Sequence, residues 1–472
     1  MNIKLKRYYH IILFFIVSIL FLCCFYGHAM IIPYNTASSY QENIKNITIK
    51  NNVNLFDDTK IHEVQINMDW NNYKSLIETY EQTGLKDYYK TDIVIDGVTI
   101  KNVGIRLKGN KSLMDAFKGS SEIKNMQLPF LIKFDKYVKG QNYQGITELA
   151  IRIGSGDVGS SEALLEEPLA FYASRINGAV VPECSYASVT VSDLKPAYYE
   201  ICENINENYL KRHFNDSKGI LYKVRNFADM TYKGDDQVEY KKYFDQKTQV
   251  HKEDFSHLIE FLKFVNKSND EEFEEHLSDW IDIDSLTTMM AINDLIDNKD
   301  SFSGMNSNYY FYYSHETKKF KVLAWDMNLA FGGMEKTMSK PPGLNKDNIK
   351  KPMHKEKFNH PLEAQMEFKQ NKNFEEDGNS NKSGNIPMIG GKNVLKERFL
   401  ANKKFNAMYK EKYLEIADTI YGKNLLLKKL DAISNTFTKY NSENNLLNQE
   451  GYDKKVLDMR NDIKNKKIEE KK

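Results

Sequence analysis

The sequence predicts an α+β fold, β-rich at its beginning and more helical toward its end. Three observations predict it. Short runs with period-two apolar alternation recur between Ile61 and Val224, apolar residues repeat at three- and four-residue spacing from Phe255 to Asp297 and again from Val394 to Leu430, and an aromatic hairpin from Asn308 to Ala324 stands between the helical stretches.

The chain begins with a segment of another kind. Lys4, Lys6 and Arg7 precede the apolar run Ile11 to Tyr26, and Gly27-His28-Ala29 offers small residues before a cut after Ala29, so residues 1–32 read as an export signal. The apolar stretch extends through Ile32 to roughly the twenty residues a span needs, which leaves a cleaved signal peptide and a retained anchor both open. Lipidation at Cys23 or Cys24 is set aside because Leu22 stands where a small residue is needed. Residues 33–60, polar and rich in Asn, read as a tether.

The domain core is expected over residues 61–335. Ile61, Val64 and Ile66 alternate as a strand; Trp70 to Tyr80 is helical; Asp92 to Ile100 turns at Asp96-Gly97 and leads into Val103 to Lys108. Leu131 to Phe134 and Leu149 to Ile153 are strands, and Ser160 or Ser161 can cap a following helix that carries Glu166 and Glu167 and ends near Asn177-Gly178. Ser185 to Val191 and Ala197 to Cys202 form a hairpin, followed by a helix from Asn206 to Phe214 and a strand from Ile220 to Val224. Asp282 to Asp297 is a helix capped by Asp284. Residues 336–392 turn to Lys, Asn, Gly and Pro and read as a flexible insertion. Residues 393–472 return to helix and end in a lysine-rich, solvated tail from Lys454.

Composition narrows the function classes. The 472 residues suffice for one large or two ordinary domains, and 66 Lys plus Arg against 65 Asp plus Glu leave no charge to favour nucleic acid. Past the signal only Cys184 and Cys202 remain, enough for at most one bridge. Spaced His/Cys clusters for zinc are missing, and His62, His213 and His251 are expected at the surface. Neither a Gly-x-Ser-x-Gly elbow nor a Walker phosphate loop occurs.

The chemistry concentrates between Asp297 and Gly333. With the hairpin turn near His315, Trp325 and Asp326 are expected opposite Met305 and Asn306, so that Asp300, Asn308 and Asp326 share one end of a sheet. Two carboxylates and an amide there suit Mg²⁺ or Mn²⁺. The plain reading, turn and cap aspartates, applies to each acid singly. Upstream, Gly104 to Ser112 breaks at Gly109-Asn110 beside Arg106, Lys108 and Lys111, a basic bend able to bind phosphate or to be an ordinary hairpin.

Asn298-Lys299-Asp300, Asn308 to Tyr312, and Trp325 to Gly332, with Gly104 to Ser112, Glu200 to Ile205 and Gly219 to Lys223 upstream in the same order, resemble the spore coat protein H (CotH) family of atypical protein kinases. That resemblance implies a two-lobed, atypical protein-kinase-like fold that transfers the γ-phosphate of ATP, with Mg²⁺ or Mn²⁺, to Ser/Thr-rich coat or surface proteins. It implies Asp300 as the acid orienting the hydroxyl, Asp326 and Asn308 as metal ligands, Arg106 and Lys108 at the phosphates, Glu167 paired with Lys108, and Glu203 at the link where adenine binds. It also implies an exported protein at a spore or cell surface, meeting a membrane only through its N-terminal segment.

Two departures stand out. Seven residues separate Asp300 from Asn308 where kinases generally use four, which makes Asn306 a second candidate ligand, and Asn328 replaces an acid that many relatives carry. Other readings are an inactive scaffold of the same family, a metal-dependent hydrolase, for which no His cluster speaks, and a carbohydrate-binding surface protein.

Overall fold

Period-two alternation in the first half of the chain closes into a barrel. The computed structural model describes residues 45–119, 122–153, 165–225, 227–334 and 391–466. The N-terminal half contains β1 (Ile47–Ile49), β2 (Ile61–Asn67), α1 (Trp70–Thr83), β3 (Tyr89–Ile95), β4 (Val98–Leu107), α2 (Lys111–Gly119), β5 (Phe130–Lys133), β6 (Gln141–Tyr143), β7 (Glu148–Arg152), α3 (Glu166–Ile176), β8 (Cys184–Val191) and β9 (Ala197–Glu203). Strands β2, β3, β4, β5, β7, β9 and β8 pair in that order, and parallel pairing of β8 with β2 closes the ring. Closure leaves no free edge, and the inward set, including Val64, Ile93, Ile105, Ile132, Ile151, Val189 and Ile201, forms one core. Asp96 and Gly97 both have positive φ, the geometry a two-residue turn between β3 and β4 requires.

The second half is built around one sheet and a buried helix. It contains α4 (Glu207–Phe214), β10 (Ile220–Val224), α5 (Gln237–Tyr240), β11 (Phe244–Gln246), α6 (Ser256–Lys267), α7 (Asp270–Trp280), α8 (Ile283–Leu295), β12 (Tyr309–Tyr313), β13 (Phe320–Ala324), α9 (Val394–Ala401), α10 (Lys403–Ala417), α11 (Leu425–Asn444) and α12 (Gln449–Asn465). Sheet order is β11-β10-β12-β13, and all five residues of β12 are buried, so both faces of that strand are covered. Helix α8 is apolar nearly all round and packs against β13 and α10. The chain is thus mixed α+β, with a β-rich N-terminal half and a helical C-terminal region.

Several local expectations give way to tertiary packing. Within the expected tether, β1 pairs in parallel with β6, and Leu55 is buried in the barrel core. His62 is not at the surface. It is 0% exposed, with Nδ1 2.6 Å from Asp96 Oδ2 and Nε2 3.1 Å from the Asp57 carbonyl, because on β2 it alternates in phase with the inward-facing Val64 and Ile66 and the segment before β2 covers it. Asp282 rather than Asp284 caps α8, accepting from the Ser285 amide at 3.0 Å. The lysine-rich tail is a docked amphipathic helix whose Tyr452, Val456, Met459 and Ile463 are buried. The Ser160 or Ser161 cap and most of the insertion lie outside the described residues.

Candidate functional site

The hairpin β12–β13 sets the geometry. Tyr309 lies opposite Ala324 and Tyr313 opposite Phe320. Continuing that register puts Trp325 opposite Asn308 and Asp326 opposite Ser307. The expected partners were Met305 and Asn306; the turn closes later, with the Ser314 amide donating to the Lys319 carbonyl at 3.1 Å. Asp300 reaches the same end because its loop folds back, the Met305 amide donating to the Lys299 carbonyl at 2.8 Å. Gly304 permits this fold, since any Cβ there would collide with the Lys299 backbone. Asn308 Nδ2 then donates to Asp300 Oδ2 at 2.7 Å, and Ser307 Oγ donates to Oδ1.

The two candidate amides have different surroundings. Asn306 is fully buried: its Nδ2 donates to the Ala228 carbonyl at 2.7 Å, and its Oδ1 accepts from the Tyr309 hydroxyl at 2.7 Å and from Asn393 Nδ2 at 3.3 Å. It ties the segment before α9 to the hairpin and has no capacity left for a ligand. Asn308 uses only its Nδ2 among the described residues, leaving its Oδ1 open.

Glu167 pairs with Arg152, not with Lys108. Glu167, in the first turn of α3, is 0% exposed; its Oε2 lies 2.8 Å from Arg152 Nη2, and its Oε1 accepts from the Met327 amide at 3.2 Å. The same Arg152 nitrogen is also ion-paired to Asp326 Oδ1. Arg152, at the end of β7, reaches both Glu167 and Asp326, whereas Lys108, just past β4, approaches the same point without an ion-pair partner among the described residues. Lys108 Nζ donates to Asn204 Oδ1 at 2.9 Å, and Asn204 Nδ2 donates to Glu148 Oε2 at 2.6 Å. Trp325 lies beneath both cations, its ring 5.1 Å from Lys108 and 5.2 Å from Arg152.

Positive charge is in excess around this point. Burial, then the charges of Lys223, Arg106 and Arg152, lowers Lys108 from the ordinary 10.5 to about 7. Lys86 is lowered to about 8, first by burial and then by Arg106 and Lys223. Lys223, on β10, is itself lowered by burial; it rests over the Tyr310 ring at 5.9 Å and has no ion-pair partner among the described residues. Arg106 donates to the Leu107 carbonyl at 2.9 Å and lies over the Tyr88 ring at 5.3 Å.

The acids respond to this field. Burial opposes ionisation of Asp326, but Arg152, Lys223 and Lys108 together hold its carboxyl below the usual range, and 34% of the side chain is exposed. Asp300 is raised, chiefly by burial and further by the charge of Asp326, while Ser307 and Asn308 pull it back. Glu200, opposite Arg152 in the β7–β9 register, is pushed well above the usual range by burial and then by Glu167. Glu203 faces away from this group. Its carboxylate is taken by Arg212 and by His213 Nε2 at 2.9 Å, joining β9 to α4.

Lys223 and Arg152 are the site residues that sequence reasoning missed. Lys223 closes the Gly219 to Lys223 segment already singled out by resemblance, so a signal existed; Arg152 had none beyond its place at the end of a strand.

No group of three His, Cys, Asp or Glu side chains among the described residues is placed to hold a metal ion by itself. The donors at hand are Asp326, with an exposed edge, and Asn308 Oδ1, a set that suits a hard cation completing its shell with water and phosphate oxygens.

A family model described as CotH kinase protein matches residues 116–466, well over half of the chain. The chain belongs to the CotH kinase family. The matched CotH region contains Arg152, Glu167, Lys223, Asp300, Asn308 and Asp326 but begins after Arg106 and Lys108. This CotH-family chain is also 25% identical over 159 residues to the inner spore coat protein H of Bacillus subtilis (strain 168), an alignment covering 33% of this chain and 43% of that relative. Among the described residues of the CotH-family chain, no helix is long and apolar enough to cross a membrane; the expected export signal, residues 1–32, lies outside them.

Proposed function

We propose that this CotH-family chain is an ATP-dependent protein kinase that phosphorylates Ser/Thr hydroxyls of coat or surface proteins. One observation supports the reading most: Lys108, Lys223 and Arg106 gather without a carboxylate ion-pair partner among the described residues, beside the point where Asp300 and Asp326 meet. A tri- or tetra-anionic phosphate chain supplies the missing negative charge.

In this reading the helix α3 and the barrel end at β7 hold Asp326 through Arg152, and Lys108 and Lys223 take the phosphate oxygens. Asp326 and Asn308 would hold Mg²⁺ or Mn²⁺, which neutralises developing charge on the β- and γ-phosphates. Asp300 receives the hydroxyl proton of the acceptor as its oxygen bonds to the γ-phosphorus and ADP departs; burial makes it a better base than an ordinary aspartate, and Ser307 and Asn308 fix its orientation. The barrel and the helical region correspond to the two lobes of a kinase-like fold. Because the relative is named as an inner spore coat protein, we place this chain at a spore coat or cell surface, reached through the N-terminal signal.

The test is transfer of labelled γ-phosphate by the purified chain, with Mg²⁺ or Mn²⁺, to itself and to a Ser-rich acceptor, beside Asp300→Ala and Asp326→Ala. Label that both substitutions abolish establishes the activity. Absence of label together with absence of an ATP-induced rise in melting temperature favours the inactive scaffold.

A further inference from the structure

Cys184 and Cys202 lie directly opposite one another on the antiparallel strands β8 and β9. The flanking pair is the hydrogen-bonded one, the Glu203 amide donating to the Glu183 carbonyl at 2.9 Å, so the cysteines occupy a non-hydrogen-bonded position. At such positions Cα atoms approach to about 4.5 Å and side chains leave the sheet on the same face, within the roughly 4.4–6.8 Å range that a disulfide spans. Both thiols are free, 8% and 0% exposed, and belong to the apolar layer that packs with Leu165, Leu169 and Ala173 at α3. The buried carboxyls of Glu200 and Glu167 also face the two thiols, and a disulfide, which carries no ionisable proton, lies beside them without adding charge.

We propose that Cys184 and Cys202 form a cross-strand disulfide when the chain folds in an oxidising environment. The oxidant is a low-molecular-weight disulfide such as oxidised glutathione. One cysteine thiolate attacks it, releasing one small thiolate and leaving a mixed disulfide; the second cysteine thiolate attacks the protein sulfur of that bond, forming Sγ–Sγ and expelling the second small thiolate. Two protein thiols are oxidised and one small disulfide is reduced to two thiols, which take up the two protons. Burial pushes both thiols well above their usual range, so the folded dithiol is inert and exchange happens before β8 and β9 are covered.

The full chain refolded in mixed oxidised and reduced glutathione, alkylated and cleaved after glutamate, tests this directly, because Glu200 lies between the two cysteines. The expected product is one species containing both cysteine peptides, separated by dithiothreitol. The oxidised chain should also unfold at a higher urea midpoint than the reduced chain, a difference that vanishes in Cys202→Ala. Recovery of the two peptides singly, alkylated or glutathionylated, or linked to Cys23 or Cys24, overturns the proposal.

Discussion

Arg152 and Asp326, 174 positions apart in sequence, are ion-paired at the meeting of the barrel with the aromatic hairpin. The pair is one half of a buried arrangement whose other half is Glu167, so Arg152 compensates two carboxylates at once. Replacing it by Met leaves Glu167 enclosed without a cation, a change expected to cost about 3 to 5 kcal/mol. Urea unfolding at neutral pH measures that cost. A loss under 1 kcal/mol would mean that Glu167 takes a proton and that Arg152 contributes little to holding the fold.

Lys108 gives a pH signature to anion binding. Its folded-state value, about 7, lies below the ordinary 10.5, so the unfolded chain binds more protons between these limits and the free protein gains stability as pH rises through that window. Phosphate binding needs the charged form and has the opposite slope. ATP affinity is expected to be highest below pH 7 and to fall by up to about tenfold per unit above it, with proton uptake at pH 8 detectable by calorimetry in buffers of different ionisation enthalpy. In Lys108→Met, affinity should be lower and its dependence on pH shallower.

Asp300 and Asp326 separate by what each loses. Asp300→Asn should depress phosphate transfer by about 10² to 10⁴-fold while ATP still raises the melting temperature. Asp326→Ala should abolish both transfer and the metal-dependent part of the melting shift. Equal loss of nucleotide binding in the two variants would rule out the division of roles.

Asn306 and Asn308 make a similar contrast. Asn306→Ala removes an amide that joins Ala228, Tyr309 and Asn393, and should destabilise the chain by about 1 to 3 kcal/mol. Asn308→Ala loses its bond to Asp300 and should, beyond any cost to the fold, weaken Mn²⁺ binding in the presence of nucleotide. If Asn306→Ala alone weakened Mn²⁺, Asn306 would be the ligand after all.

His62 ties β2 to the β3–β4 turn through Asp96. Burial opposes ionisation of Asp96, yet the His62 ring and the Glu63 amide outweigh it and hold the carboxyl below the ordinary value of 3.8. The contribution is therefore present above that value and lost as pH falls through the folded-state one. His62→Ala should cost about 1 to 3 kcal/mol at pH 7. The gap to the wild type should narrow in acid, as read from urea midpoints.

Local periodicity determined much of this protein. Alternation from Ile61 to Val224, the Asp96-Gly97 turn and the aromatic run at Tyr309 are properties of a few neighbouring residues, and each produced a strand or turn near its expected place. Asp300, Asn308 and Asp326 were legible for the same reason, since a single hairpin and its adjoining loop bring them together. Tertiary structure decided the rest. Whether β2 meets β8, whether His62 is covered, and which cation reaches Glu167 depend on how the barrel closes, and charged side chains carry no period that would announce their partners. Arg152 at the end of one strand and Lys108 just past the end of another are equivalent as letters; only the direction in which each strand end points gives Glu167 to the first and leaves the second beside Lys223 with charge to spare.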